Sequence, residues 1–311
     1  MNFKKIKRKF KYIINPYGIF SSVIILMDKT LKGIIPDTQL IKCRYYTNTG
    51  RKLNLNNPQS FNEKIQWLKL YGNLEQYTHL ADKYEVRNHI SETIGEKYLI
   101  PLIGVWDRFE DINFENLPVQ FVLKCTHDSA SIVICKDKNN FNFDEAKKKI
   151  NKCLKYNYYY PTRQMQYKNI KPRIICEKYM EDEEGTDIKD YKIFCFNGHP
   201  KLIRVDYDQH VNHKRNIYDI DWNYIPVTFR YPNDHSLIEN KPDNLEEMLG
   251  LARVLSDNYP HVRVDFYIIK GKIFFGEFTF SNADGCQIFD PEDFDILMGS
   301  WLELPEIQGN K

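Results

Sequence analysis

The run Phe121-Val122-Leu123-Lys124 sets one lysine in an otherwise apolar stretch. A buried ammonium must find an anion or lose its proton, so Lys124 calls for a fixed acidic partner. Directly after it comes Thr126-His127-Asp128-Ser129-Ala130-Ser131, a small-residue turn whose backbone N–H groups could cradle a phosphate. The same residues also read as a polar hairpin turn beside a lysine stem lying along apolar surface. A second constellation is Val262-Arg263-Val264-Asp265, followed by Phe275-Gly276-Glu277-Phe278-Thr279. Alternate side chains share a strand face, so both pairs would meet in one cleft if the segments pair around Gly271. Two carboxylates on adjacent strands suffice for magnesium, which keeps waters and phosphate oxygens as its other ligands. The competing reading is an Arg263–Glu277 cross-strand ion pair. Third, Glu177-Lys178-Tyr179-Met180 runs into Glu181, Asp182, Glu183 and Glu184. A strand leaving an apolar interior in this way could line an adenine with its backbone and offer a carboxylate to a ribose, or end in a solvated acidic loop.

These residues need a scaffold of strands. Gln120–Cys125, Ser131–Lys136 and Arg173–Met180 are short β-branched or aromatic runs that predict buried strands, with a Lys-rich helix at Asp144–Tyr156 before the third. Tyr191–Phe196 and Lys201–Tyr207 flank Asn197-Gly198, a hairpin turn pair, and Val262–Ile268 with Lys272–Phe280 forms a second hairpin. Helices are predicted for Phe61–Tyr71, with a capping box from Ser60 to Glu63, for Tyr77–Thr93 ahead of Gly95, and for Leu245–Tyr259. Tyr218–Pro232, polar-aromatic and with two prolines, reads as a long ordered loop over a site. The order of elements is that of a mixed α/β, α+β fold.

With 311 residues, 42% hydrophobic and 28% charged, the chain has the composition of a water-soluble globular protein of about two domains. Collagen-like and wholly disordered classes are excluded. A formal charge of +2 gives no global field of the kind that draws proteins onto nucleic acid, so no nucleic-acid partner is expected. Seven scattered cysteines with no C-x-x-C pair fit a reducing cytoplasm and no zinc site. Lys4, Lys5, Lys7, Arg8, Lys9 and Lys11 alternate with aromatic and aliphatic residues, followed by an apolar stretch from Tyr17 to Met27. That stretch is too short to span a bilayer and lacks a cleavage site. It reads as a helix packed on the body with a solvated basic face, or as a peripheral contact with an anionic membrane, which would place the protein at the inner face of a bacterial membrane.

Taken in order, Asp82-Lys83, Lys124 with its loop, Glu177 to Met180, Arg263-x-Asp265 and Glu277-x-Thr279 resemble the ATP-grasp superfamily. From Asn57-Pro58-Gln59-Ser60-Phe61-Asn62-Glu63-Lys64 through Leu80-Ala81-Asp82-Lys83 to Asp190-Tyr191-Lys192, the chain is similar to the TupA-like branch, associated with teichuronopeptide and other bacterial surface-polysaccharide synthesis. The resemblance implies two α+β subdomains sandwiching ATP. The divisions expected are a basic, helical N-terminal region (1–75), a lid subdomain (76–175) and a nucleotide- and metal-binding subdomain (176–311). Lys83 and Lys124 would hold phosphates under a lid of His127, Ser129 and Ser131. Lys178 and Met180 would contact adenine through their backbones, with Glu177 beside its amino group and Glu184 or Glu183 on the ribose. Asp265 and Glu277, with Thr279, would hold magnesium, and Arg263 would sit near the transferred phosphate. Two departures from the superfamily stand out: the lid lacks its usual glycines, and Thr279 stands where many members place an asparagine.

The activity implied is carboxylate–amine ligation, with γ-phosphoryl transfer to a carboxylate followed by attack of an amine. Lys124, Lys192 and Arg263 would carry catalysis, and Asp190, Lys192, Arg204 and the aromatic loop near Trp222 would face the acceptor. Asp190 and Lys192 equally fit a structural pair. The expected partners are ATP, a uronic-acid-containing sugar or glycan, and an amino acid or related amine. One alternative is a glycosyltransferase using Asp219-Ile220-Asp221 as a D-x-D metal motif. The other is a kinase that makes a phosphoester.

Overall fold

The computed structural model describes residues 15–31, 33–129, 131–182, 188–207, 214–238 and 240–306. Its longer helices are α1 (Pro16–Thr30), α2 (Asp37–Thr49), α3 (Phe61–Tyr71), α4 (Thr78–Ala81), α5 (Val86–Thr93), α6 (Phe143–Leu154), α7 (Tyr159–Thr162), α8 (Leu245–Ser256) and α9 (Phe294–Trp301). Its strands are β1 (Leu102–Trp106), β2 (Phe121–Cys125), β3 (Val133–Cys135), β4 (Ile174–Lys178), β5 (Asp190–Phe196), β6 (His199–Tyr207), β7 (Lys214–Tyr218), β8 (Tyr224–Ile225), β9 (Thr228–Phe229), β10 (His261–Ile269), β11 (Lys272–Thr279) and β12 (Phe289–Asp290).

Among the described residues, two large antiparallel sheets and a two-stranded one, β12-β9, result. The first has the order β1-β4-β2-β3, and the second has the order β11-β10-β5-β6-β7-β8. In the first, Phe121, Leu123, Ile174 and Cys176 pack against Ala146 and Ile150 of α6. In the second, the two-residue strand period sends Ile193, Cys195, Val205, Val262 and Val264 toward Met248 and Ala252 of α8. The alternate residues Phe194, Phe196 and Leu202 meet Phe61, Ile65 and Met298 on the opposite face. That second face is covered by α3 and α9 at one end only, and the remainder carries charged residues.

Both expected hairpins form. Asn197 and Gly198 turn the first at φ of 49° and 79°, and Lys270 and Gly271 turn the second at 51° and 69°. The capping box on α3 also forms, with Ser60 Oγ accepting from Glu63 N at 3.2 Å and Glu63 Oε2 accepting from Ser60 N at 3.2 Å.

Three expectations need correction, while β4 forms within the predicted Arg173–Met180. The helix predicted for Tyr77–Thr93 is broken at Asp82, whose backbone is extended. Its carboxylate instead accepts from the N–H groups of Tyr84 (2.8 Å) and Glu85 (3.3 Å), a local competition that aspartate often wins over helix continuation. The break lets Lys83 N donate to Thr126 O at 3.1 Å. The Tyr218–Pro232 segment is not one loop, because β8 pairs with β7 and β9 pairs with β12. Strand β1 has no expected counterpart, and its antiparallel pairing with β4 completes the first sheet. Strand β4 runs unbroken through positions 175 and 176, so its pairing with β2 carries Glu177 and Lys178 into the first sheet.

Candidate active site

On the first sheet, Lys124 finds its anion: Nζ donates to Glu177 Oε2 at 2.7 Å, and Arg87 Nη1 reaches Glu177 Oε1 at 3.3 Å. Two cations share one largely buried carboxylate, which leaves positive charge facing outward. Lys83 donates to the backbone carbonyl of Asp128 and so lies against the turn after β2.

That turn is tied down. Asp128 Oδ1 accepts from Ser131 Oγ at 2.5 Å, Ser131 Oγ accepts from Cys125 N at 2.7 Å, and His127 Nε2 contacts Cys153 O at 3.1 Å. His127 and Ser131 are therefore buried within the turn, contrary to their expected place over a phosphate; Ser129 is exposed and lines the cleft. Lys178 is exposed at the end of β4, and its N–H already donates to Pro101 O at 2.9 Å. Met180 follows in an extended segment, while Glu183, Glu184 and the basic residues up to Lys11 lie outside the described residues.

On the second sheet, Arg263, Asp265 and Tyr267 share the cleft face of β10. Arg263 forks onto Asp265, with Nε–Oδ1 and Nη2–Oδ2 both 2.6 Å, and Nη2 also reaches Glu277 Oε1 at 3.2 Å. Lys192 Nζ contacts Asp265 Oδ2 at 3.1 Å and bonds Asp190. One strand further, Arg204 and Arg215 close on Asp206 at 3.1 and 2.5 Å. The register explains the assembly, because Asp265 faces Lys192 on β5 and Lys192 faces Arg204 on β6. The result is a buried ladder of paired charges over β10, β5, β6 and β7, in which the sign alternates along β10, β5 and β6. Asp190, Lys192 and Arg204 are thus buried within this ladder, and none of the three lines the cleft.

The ladder sets its own protonation. The Arg263 guanidinium, with Lys192 behind it, holds Asp265 below the usual carboxylate range despite burial, while burial with Arg263 and Arg204 nearby lowers Lys192 to about 8. An unfolded lysine keeps its proton to about 10.5, so between these values the unfolded chain holds the extra proton and stability rises with pH. Urea unfolding from pH 8 to 9.5 is expected to show this rise in the wild type and not in Lys192→Met. Equal slopes would rule out a titrating Lys192.

Along the second sheet and the turn after β2 opens a cleft of about 960 Å³, whose lining does not include Lys83, Lys124, Glu177, Lys178 or Met180. Its walls include Ser129, Tyr158 and Tyr167 on one side and Arg263, Glu277 and Thr279 on the other. Tyr267 registers both sheets, since burial and the charges of Glu277, Asp265 and Glu177 together raise its phenol. Two arginines that the sequence reading passed over also line the cleft. Arg44, from α2, contacts Asp284 at 3.3 Å. Arg230 is exposed, held at φ 72° with its guanidinium over the Tyr231 ring.

The loop forming the cleft floor is clamped by α3. Asn62 exchanges hydrogen bonds with the backbone of Gln287 (2.7 and 2.8 Å), Gln66 donates to the carbonyls of Asp284 and Gly285 (2.7 and 2.9 Å), and Lys69 pairs with Asp284 at 2.6 Å. Ala283, Asp284 and Gly285 all have positive φ, and a Cβ on Gly285 would lie 2.9 Å from Ile65 Cγ2. Polar residues at i, i+4 and i+7 of an otherwise buried helix were the sequence signal for this clamp.

Hard-oxygen donors converge at Glu277 and Thr279, with Asp265 behind them, a set that suits magnesium. Thr279 Oγ1 donates to Glu277 Oε1 at 3.2 Å, the same oxygen that Arg263 reaches, and Glu277 lines the cleft. Both oxygens of Asp265 are engaged by Arg263 and Lys192, so it could add a ligand only by giving up one of those bonds. Among the described residues no group of three His, Cys, Asp or Glu could hold a metal unaided. Magnesium there would draw its remaining ligands from phosphates and water. The D-x-D reading of Asp219-Ile220-Asp221 does not hold up, because Asp219 caps a tight turn, accepting from Asp221 N (3.0 Å), Asn223 N (2.8 Å) and Asn223 Nδ2 (2.9 Å).

The mixed fold with its four- and six-stranded antiparallel sheets is the ATP-grasp fold. The chain belongs to the TupA-like ATP-grasp family, whose model matches residues 63–303. It is similar in structure to the D-alanine–D-alanine ligase of Bacillus anthracis, at 14% identity over 71% of this chain and 59% of that one, with a TM-score of 0.39. It is likewise similar to the Helicobacter pylori D-alanine–D-alanine ligase (12% identity, 79% and 70% covered, TM-score 0.41). A third is an ATP-grasp RimK domain protein of Sphaerobacter thermophilus (9% identity, 75% and 70% covered, TM-score 0.39). The chain thus spans under two thirds of the length of the first of these. No curated protein matches it.

Proposed function

We propose that the protein is an ATP-dependent carboxylate–amine ligase that forms an amide on a uronic acid of a bacterial surface-polysaccharide precursor. The observation that carries this reading is the cleft in which Arg263 and Glu277 of the second sheet lie with Ser129 of the turn after β2, and with Arg44 and Arg230. ATP would lie between the sheets, its phosphates toward Lys83 and Lys124 and its base toward Glu177, Lys178 and Met180. Glu277, with Asp265 and Thr279, would hold magnesium, which when bound neutralises phosphate charge. Arg263 would meet charge developing on the transferred γ-phosphoryl group. Transfer to the acceptor carboxylate would give an acyl phosphate and ADP, and an amine would then displace phosphate to leave the amide. Arg44 and Arg230 are placed to pair with the anionic acceptor, because a guanidinium fork matches a carboxylate. The buried ladder would fix Arg263 in position rather than bind acceptor. The lid and core subdomains proposed here divide after Lys178, where the first sheet ends.

The test is ADP release from magnesium-ATP across pairs of uronic acids and amino acids, with the product weighed by mass spectrometry. Lys124→Ala is expected to lower turnover by about 10²-fold while ADP release stays dependent on both partners. ATP binding without ADP release for any pair would sink the ligase reading. A phosphoester accumulating without amine would replace it with a kinase.

A further inference from the structure

Helix α1 presents its bulky side chains to solvent. It buries Gly18, Ser21, Ile24 and Asp28, while Ile19, Phe20, Val23, Leu26 and Met27 are between 43 and 64% exposed. At the helical period these five fall within one arc, and Leu31 and Ile34 (45% and 67% exposed) continue the patch. A contiguous apolar face of this kind marks an interaction surface.

We propose that this face docks on an anionic lipid bilayer. The chain leading into α1 carries Lys4, Lys5, Lys7, Arg8, Lys9 and Lys11, and there is no acidic residue before Asp28. Apolar side chains preceded in sequence by a run of positive charge complement acyl chains beneath anionic headgroups. A second copy of the same face would bring like charges together. Insertion would be shallow, since among the described residues no helix is long and apolar enough to cross a membrane.

The docked helix would also orient the cleft. Arg163, 1% exposed, pairs with Asp28 of α1 at 2.6 Å and with Asp37 of α2 at 2.8 Å. Its neighbour Gln164 lines the cleft, and so does Arg44 of α2. The membrane face and one cleft wall are therefore linked through the ion pairs of Arg163, as suits an acceptor presented at a lipid surface if the proposed function holds.

The test uses the full chain without nucleotide, so it is independent of the ligase reading. Co-sedimentation is measured with phosphatidylglycerol–phosphatidylcholine vesicles and with phosphatidylcholine alone, for the wild type and for Ile19→Gln/Val23→Gln/Leu26→Gln. The wild type is expected to partition onto the anionic vesicles, and the variant at least about tenfold more weakly. Amide exchange in the wild type is expected to slow across Pro16–Thr30 when anionic vesicles are added, a readout that needs no variant. Equal binding by the variant, unchanged exchange in that helix, or no binding would overturn the proposal. So would sedimentation velocity showing a lipid-free dimer that the three substitutions dissociate.

Discussion

Asp265→Asn is expected to destabilise the fold by about 3–5 kcal/mol, because it removes the one anion that two buried cations share. Asp265 is 1% exposed and takes three bonds from Arg263 and Lys192, at 2.6, 2.6 and 3.1 Å. Asparagine keeps the shape but offers only one acceptor oxygen and no charge. Arg263 would keep Glu277 and Asn282, while Lys192 would keep Asp190. Those bonds limit the loss without cancelling the cost of buried positive charge. Calorimetry should show a fall in Tm on the order of 10 °C. The wild-type contribution carries a pH signature. Because the folded carboxyl is held below its unfolded range, its stabilisation is complete above the unfolded pKa and fades as pH falls through the depressed value. The variant should therefore lose less stability than the wild type on acidification. A loss under about 1 kcal/mol would mean the ladder tolerates an unpaired cation and that Asp265 is held for another purpose.

Glu277→Gln should behave in the opposite way. Its side chain is 41% exposed, and its link to Arg263, 3.2 Å, stands at the edge of the ladder. Removing the charge should change stability by no more than about 1 kcal/mol. On the proposed function it should nevertheless lower magnesium-dependent ATP turnover by about 10²–10³-fold, since Glu277 lines the cleft as a proposed magnesium ligand. Steady-state kinetics over a magnesium titration separates two outcomes. A loss rescued by high magnesium identifies a metal ligand, and a loss of kcat at saturating magnesium identifies a role in the transition state. Unchanged turnover would remove Glu277 from the active site.

Much of the fold was legible because local chemistry and tertiary need agree. Ser60 and Glu63 cap α3 whatever it packs against, and Asn197-Gly198 suits its hairpin by backbone preference alone. The requirement that Lys124 have an anionic partner is likewise local, and Glu177 meets it. Asp82 defeats a helical pattern because its carboxylate competes for the next N–H groups, a choice that the contact of Lys83 with Thr126 supports from 43 residues away, as the numbering shows. His127 and Ser131 have the right chemistry for a phosphate loop, yet the turn consumes their side chains.

By itself, the sequence determined the alternation that puts Arg263 with Asp265 and Glu277 with Thr279, and the ordered motifs of an ATP-grasp chain. Only the tertiary structure decided which charges line the cleft. Strand register carried Lys192 and Arg204 into a buried ladder, and packing of α2 and the β9 segment brought Arg44 and Arg230 to the cleft. The physical reason is that side-chain period is a property of one strand, whereas burial and ion pairing depend on which distant segment lies beside it.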